Sequence, residues 1–398
     1  MRKTVLVAGG SHSDIPFIKA IQSLGHAVIT SGNRATDFGH GYADAVALAD
    51  FSDPEAMLVL AEKLGIGAIC PSANDFSMIS SAYVAEHLGL PGYDSYDTTL
   101  MLHHKDRFRE LGSQIGLTAP KAKHFKTPEI TSADITGLCF PLIVKPIDLT
   151  GGKGVSRIDN ISGFPAAVRN AYDSSRAKRI VVEEFFSGTL HSYSTIIRDY
   201  KVIFEFCDNE FSFLNPYTVS TSTTPATVSP MVLAAVRRET EHLAKTLSLV
   251  DGILHGQFLA TPSDFRIIEF TRRPPGDLYA VPVEHTTGIN PAELAVRPFL
   301  GLPLSLPTPR KPDAVYFSRY CLMADRDGIF QGTQVAPEIE ANIVDRLVVV
   351  QPGHRVDNYL NERLGIFFLR YGSSAEMEDK TARIHKLISA SMSGPGRP

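Results

Sequence analysis

Residues 141–156 read Pro-Leu-Ile-Val-Lys-Pro-Ile-Asp-Leu-Thr-Gly-Gly-Lys-Gly-Val-Ser, and no other stretch constrains the fold as tightly. A short apolar run with the pattern of a buried strand delivers a single lysine, Lys145, and then opens into a loop containing Gly151, Gly152, Lys153 and Gly154. Glycines lack a Cβ, so such a loop can lay its N–H groups against an anion. Phosphate is the natural ligand of this arrangement, with residues 150–156 as a mobile lid. The spacing is not G-x-x-x-x-G-K-[ST], which argues against a P-loop nucleotidase. Taken alone, the glycine loop is weak evidence, since most such loops are only turns.

Two further segments supply what a phosphate site needs. The strand pattern RIVVEEFFSG places Glu183 and Glu184 inside an apolar run, where two acids cost desolvation energy unless something uses them. An adenine pocket would use them, because a strand edge pairs with the purine while a carboxylate takes the exocyclic amine or ribose hydroxyls. An edge strand with one solvated glutamate is the plainer alternative. The segment GILHGQFLATPSDFRIIEF is a hairpin signal. With Pro262-Ser263-Asp264 as the turn, Thr261 faces Phe265, Gln257 faces Glu269 and His255 faces Thr271 on one side of the ladder. Cross-strand Cβ atoms lie roughly 5 Å apart, close enough for Gln257 and Glu269 to share Mg²⁺, a hard cation completed by phosphate and water. The plainer alternative is a hydrogen bond between the two on a solvated face. Arg272, Arg273, Gly276 and Asp277 follow, and an arginine just beyond a metal carboxylate suits an acyl phosphate or a tetrahedral oxyanion.

Around this centre the chain divides into three. Residues 3–92 alternate strand-like and helical runs, the rhythm of a parallel sheet. Gly9-Gly10 after the first strand invites a dinucleotide reading, but the spacing is not G-x-G-x-x-G and no acid closes the second strand. Asn74 and Asp75 fall at the carboxyl edge, where such sheets bind ligands, although ordinary capping residues look the same. From Tyr96 the pattern predicts one helix, capped by Asp97, carrying Lys105 and stopped by Gly116 and Pro120. Ser229-Pro230 opens another helix through about Leu247. A Pro-rich linker from Leu306 leads to a third segment of strands and a closing helix. The expected organisation is therefore 1–95, 96–305 and 306–390, with 391–398 a disordered tail. A 398-residue chain is long enough for this. A net charge of -4 and a pI near 6.4 give no basic field for nucleic acid or an anionic membrane, so small molecules are the expected partners. Cys70, Cys139, Cys207 and Cys321 are far apart and read as reduced core residues of a cytoplasmic protein.

In this order the pieces resemble the ATP-grasp superfamily over essentially the whole chain. The resemblance implies an α/β, Rossmann-like pre-ATP-grasp domain, a central ATP-grasp fold of two α+β subdomains, and a small β-rich C-terminal domain like that of biotin carboxylase and the L-amino-acid ligases. It implies ATP and Mg²⁺ as cofactors. Lys105 and Lys145 match the two ATP lysines, and Gly151, Gly152, Lys153 and Gly154 match the lid. Glu183 with the backbone of Glu184, Phe185 and Phe186 matches the adenine-bracketing hinge near 183–188, and His191 falls where biotin carboxylase-like members place a ribose-contacting histidine. Glu269 and Arg273 match the family's E-x-N-x-R, with Gln257 as the other metal ligand. The stretch R-R-P-P-G-D-L-Y resembles the substrate segment of the L-amino-acid ligases, which adds Gly276 and Asp277 to Arg273 and Asn74 as substrate residues. Three positions depart from the pattern: Gln257 replaces the commoner acid, Leu190 the ribose glutamate, and Thr271 the asparagine of the second metal site.

The implied activity is ATP-dependent ligation of a carboxylate to an amine through an acyl phosphate, releasing ADP and phosphate, with Lys145, Glu269 and Arg273 as catalytic residues. Small-molecule carboxylate and amine substrates are its partners, and a homodimer is an open assembly. A bicarbonate-activating carboxylase or carbamoyl-phosphate-type enzyme is the alternative within the fold. A nucleotide-binding regulatory module without turnover is the alternative outside catalysis, suggested by Leu190 and Thr271. No G-x-S-x-G or H-E-x-x-H supports a hydrolase.

Overall fold

A computed structural model describes residues 2–149, 152–306 and 315–394. The chain opens with β1 (Thr4–Ala8), α1 (Ile15–Ser23), β2 (Ala27–Thr30), β3 (Ala45–Val46), α2 (Pro54–Leu64), β4 (Ala68–Pro71) and α3 (Asp75–Leu88). The strands pair in parallel in the order β3-β2-β1-β4. Val5 to Ala8 are all buried, as expected of a strand covered on both faces. The Gly9-Gly10 turn is filled by protein: a Cβ at Gly9 would lie 2.4 Å from Ser72 Cβ, and one at Gly10 would lie 2.0 Å from the His40 ring. Side chains thus occupy the space in which a pyrophosphate would have to approach those glycines.

Next come α4 (Tyr96–His103), α5 (Lys105–Ile115), β5 (Ala122–Phe125), β6 (Leu142–Pro146), β7 (Ser156–Ile158), α6 (Phe164–Ser174) and β8 (Ile180–Glu184). The single helix predicted from Tyr96 is two, because His104 is extended at φ -93° and ψ 119°, and Ser95 rather than Asp97 caps the first. The restart puts Lys105 at the head of α5, with its amide donating to Ile147 O at 3.2 Å. The strands form an antiparallel sheet, β5-β8-β6-β7. Leu142, Val144, Ile180 and Val182 pack against Phe164, Ala167, Val168 and Ala171 of α6. Alternation then sends Lys145 and Glu183 to the opposite face.

The second half of the central region contains β9 (Thr189–Arg198), β10 (Lys201–Phe211), β11 (Thr221–Thr224), α7 (Pro230–Thr246), β12 (Gly252–Ala260), β13 (Phe265–Thr271), α8 (Ala280–Thr287) and α9 (Pro291–Phe299). Val232, Val236, Leu243 and Ala244 of α7 pack on Tyr193, Ile197, Leu254, Phe258 and Phe270. This leaves the other face of the sheet to Ser192, Ser194, His255 and Gln257. The last segment holds β14 (Tyr316–Leu322), β15 (Gly328–Val335), α10 (Pro337–Glu340), β16 (Ile343–Val348), β17 (Arg355–Val356), β18 (Gly365–Tyr371), α11 (Ser374–Ala382), α12 (Ile384–Leu387) and β19 (Ile388–Ser393).

Packing crosses the boundaries that the sequence pattern suggests. Strands β14, β18 and β16 extend the central sheet to eight strands in the order β13-β12-β9-β10-β11-β14-β18-β16, and only β17-β15-β19 form a sheet of their own. Helix α9 belongs to the first core, where Leu294, Val296 and Phe299 meet Val5, Ile18 and Ile21. The predicted disordered tail begins too early: Ser391, Met392 and Ser393 lie in β19 opposite Gly332, Phe330 and Ile329. The run ISASMS pairs through its backbone and carries little apolar signal. Residues 395–398 and the linker residues 307–314 lie outside the described residues. Of the four cysteines, Cys70 and Cys321 are buried, Cys207 is half-buried and Cys139 is exposed. Among the described residues no helix is long and apolar enough to cross a membrane.

Candidate active site

One side of the site is a buried charge triad. Lys145 Nζ lies 2.5 Å from Glu183 Oε1, and Arg109 Nε lies 2.9 Å from Glu183 Oε2. Burial would raise the Glu183 carboxyl, but Arg109 and Lys145 outweigh it and hold the group down at about 2. Burial pushes the Lys145 ammonium down to about 8, with Glu183 opposing and Arg109 adding to the fall. Two cations share one carboxylate here, and Arg109 Nη1 and Nη2 have no partner among the described residues. The surplus is positive, as a polyanion site requires. Lys105 stands nearby and donates to Leu149 O at 2.8 Å. Arg109 was missed in the sequence, where its one signal was a charge beside Phe108 on the buried side of an amphipathic helix.

The glycine-rich segment has an anchor that its composition does not announce. Gly152 has φ +72° and sits so close to Tyr217 that a Cβ would lie 2.4 Å from the Tyr217 Cβ, while Arg157 N donates to the Tyr217 hydroxyl at 3.0 Å. Gly154 has φ +70°, Lys153 is exposed, and Thr150 and Gly151 lie outside the described residues. At the hinge, the amides of Glu184 and Phe185 are already bonded to Lys121 O and Pro141 O, both at 2.9 Å. Glu184 also accepts from Cys139 N at 3.0 Å, so its carboxylate supports the loop before β6. Arg157 covers the Phe185 ring at 4.2 Å and Arg266 the Phe186 ring at 4.7 Å.

The hairpin places Gln257 opposite Glu269 and His255 opposite Thr271. Its upper half is shifted, because a bulge after Gln257 sets Phe258 against Ile267 and Ala260, rather than Thr261, against Phe265. Thr261 instead closes the turn onto Asp264 O at 2.8 Å. Gln257 Nε2 donates to Glu210 Oε2 at 2.6 Å, which fixes the amide nitrogen and frees the amide oxygen for a cation. Glu210 lies on β10 opposite Leu190. Burial and then the charge of Asp208 push its carboxyl up to about 8. Thr271 is buried, and its Oγ1 has no partner among the described residues. No three His, Cys, Asp or Glu side chains are grouped to hold a metal among those residues. The protein would therefore contribute two oxygen ligands, Gln257 and Glu269, as suits Mg²⁺ shared with phosphates and water.

The structure corrects one expectation and sets another beside its plainer alternative. His191 lies opposite Phe258, stacked on it at 5.3 Å and 1% exposed, on the face of β9 that α7 covers. Its ring nitrogens are taken by Thr189 Oγ1 at 2.7 Å and Asp208 O at 3.3 Å, and burial lowers it to about 4. Strand alternation thus turns His191 away from the side that Ser192 and Gln257 share, and a ribose contact is out of its reach. Asn74 caps α3, its Oδ1 accepting from Phe76 N at 2.9 Å. Its neighbour Asp75 binds Arg273 Nε at 2.6 Å and His103 Nδ1 at 3.2 Å. Burial works against the Asp75 charge, yet Arg273 and His103 hold its carboxyl well below the usual range.

Gly276 and Asp277 tie the three segments together. Asp277 N donates to Ser13 Oγ at 2.9 Å, and its carboxylate lies 3.2 Å from Arg363 Nε and 3.7 Å from His12 Nε2. Arg319 Nη1 donates to Gly276 O at 3.1 Å and Asp277 O at 3.2 Å. Arg319 is a lone arginine inside the apolar strand VYFSRYCLM, and that anomaly is its one signal in the sequence.

The charges form one electrostatic unit. Lys105 disfavours the charged form of Lys145 and favours that of Asp75, while Glu269 acts on both Arg273 and Glu210. The site therefore runs from the strand lysine, past α5 and the edge of the first sheet, to the hairpin.

No family model matches the chain. It is 24% identical over 313 residues to a formate-dependent phosphoribosylglycinamide formyltransferase of Synechococcus elongatus, covering 76% of this chain and 77% of that protein. The L-amino acid ligase from Bacillus licheniformis superposes with a TM-score of 0.79 at 20% identity, covering 99% of each chain. The phosphoribosylglycinamide synthetase from Anaerococcus prevotii superposes with a TM-score of 0.77 at 16% identity, covering 99% of this chain and 100% of that one. From end to end, then, this chain has the three-domain ATP-grasp fold.

Proposed function

We propose that the protein is an ADP-forming ligase that uses ATP and Mg²⁺ to join a carboxylate to an amine. The carrying observation is the continuous set of charges from Lys145 through Lys105 and Asp75 to Arg273 and Glu269. The names of the similar proteins agree with this reading, since a formate-dependent formyltransferase and an amino acid ligase both take a carboxylic acid.

Lys105, Lys145 and the glycine loop neutralise the triphosphate, and Glu183 with the hinge backbone faces adenine. Gln257 and Glu269 would hold Mg²⁺, which would supply positive charge to the phosphates. In the first step a carboxylate oxygen bonds to the γ-phosphorus, and the bond to the ADP oxygen breaks. In the second an amine nitrogen bonds to the acyl carbon, phosphate leaves with its electron pair, and the amine proton passes to solvent. Arg273, oriented by Asp75, holds the acyl phosphate and then the oxyanion. Positioning and charge neutralisation are the protein's main contributions.

The test is a panel of acids, from formate and bicarbonate to amino acids, paired with amines and read by ADP and phosphate release. Acid and ATP alone, trapped with hydroxylamine, should give a hydroxamate together with ADP. Release of AMP would replace this reading with adenylate chemistry, and a bicarbonate-only response would favour carboxylation.

A further inference from the structure

The Arg109–Glu183–Lys145 triad has more cations than its carboxylate needs. Arg109 holds Glu183 Oε2 at 2.9 Å and Lys145 holds Oε1 at 2.5 Å, and all three residues are at least nine-tenths buried. If Lys145 is to serve the phosphates, it must leave Glu183. A buried carboxylate that loses its only partner incurs a large desolvation penalty and tends to recapture the lysine or take up a proton. Arg109 removes that obstacle, because arginine cannot be deprotonated in a protein and keeps the carboxylate charged and oriented. Its Nη1 and Nη2, without a hydrogen-bond partner among the described residues, also offer buried donors to an incoming ligand rich in acceptors.

Resting on the ATP reading above, we propose that Arg109 is a positioning residue. It anchors Glu183 by Oε2 so that Lys145 can exchange Oε1 for the nucleotide phosphates, and the vacated Oε1 then accepts the amino group of adenine. Base selectivity accordingly depends on Arg109, whereas phosphate affinity depends on Lys145.

The experiment measures the affinity for ADP and for IDP, whose ring carries an oxygen in place of the amino group, by calorimetry on the full chain. Wild-type protein should prefer ADP by roughly 10- to 100-fold, the worth of one hydrogen bond to a charged acceptor. Arg109→Met should reduce that preference to about 3-fold or less, and Arg109→Lys should restore part of it. Lys145→Met should weaken both nucleotides by similar factors and keep the ratio. Thermal melts establish that each variant is folded. If Arg109→Met does not fold, Arg109→Lys decides, since a single ammonium in place of the fork should still lower the ratio. A folded Arg109→Met protein with the wild-type ratio overturns the inference while leaving the ATP reading intact. Wild-type protein that binds neither nucleotide overturns the ATP reading itself.

Discussion

Lys145 must carry its charge to meet a phosphate, yet it sits where a charge is disfavoured. Burial brings its pKa down to about 8, so in the nucleotide-free protein the ammonium is lost as pH rises through that value. A bound phosphate favours the ammonium and raises the pKa again, so binding takes up a proton above pH 8. ADP affinity should therefore fall between pH 8 and 9.5, by up to about tenfold per unit. Lys145→Met should bind weakly with no such slope. Calorimetry across this range decides, and a wild-type curve as flat as the variant's would remove Lys145 from the phosphates. Arg273 poses the complementary question. It is held by Asp75 from another segment, and Arg273→Ala should lower turnover by about 10²–10³-fold while ADP binding largely survives. Equal losses of turnover and nucleotide affinity would place Arg273 in ATP binding instead.

The β12–β13 hairpin shows how an element pairs two candidate metal ligands and how far sequence reveals the pairing. Alternation from the turn put Gln257 opposite Glu269, and the pair is there although the register above it slips by one residue. The bulge was invisible because nothing in GQFLATPSDFRII distinguishes a residue that pairs from one that is extruded. Glu210 was invisible for another reason: it arrives from β10, and which strands neighbour each other is a property of topology, not of local pattern. The expectation for His191 came from its position in the resemblance, which does not carry the phase of the strand; the run TLHSYSTII is buried on both faces, so no polar side marks which way His191 turns. Lys145 and Glu183 were legible because a charge inside an apolar strand is conspicuous wherever the strand lies. The element-scale prediction follows from the Gln257–Glu210 bond. Glu269→Gln should abolish measurable Mn²⁺ binding in the presence of ADP, read by the ion's paramagnetic resonance. Glu210→Ala should weaken it by roughly tenfold, since the amide loses the partner that aims its oxygen. Unchanged binding in Glu269→Gln would place the metal elsewhere.

At the scale of the whole molecule the three segments meet at Asp277, a residue of the central one that the first and the last both hold. Its backbone is at φ +52°, an uncommon conformation for a residue other than glycine. It persists because Ser13 and His12 of the first segment and Arg363 and Arg319 of the last fix it from both sides. Burial works against the Asp277 charge, but Arg363 and His12 hold its carboxyl well below the usual range. A depressed carboxylate adds stability above the ordinary carboxylate pKa and loses it as pH falls below that range. Asp277→Ala strands Arg363 half-buried without its anion, and breaking such a pair costs roughly 3–5 kcal/mol. The variant should therefore melt several degrees lower at pH 7, and the difference from wild type should begin to shrink as pH falls below the ordinary carboxylate range, where the unfolded chain takes up a proton that the native carboxylate still refuses. Arg363→Met removes the other half of the pair, so the double variant should lose much less than the two single losses added together. Strict additivity, or a melting difference that does not change with pH, would show that Asp277 does not clasp the segments through its charge. Amide exchange would then have to find the clasp in the eight-stranded sheet, whose backbone ladder runs from the hairpin into the last segment.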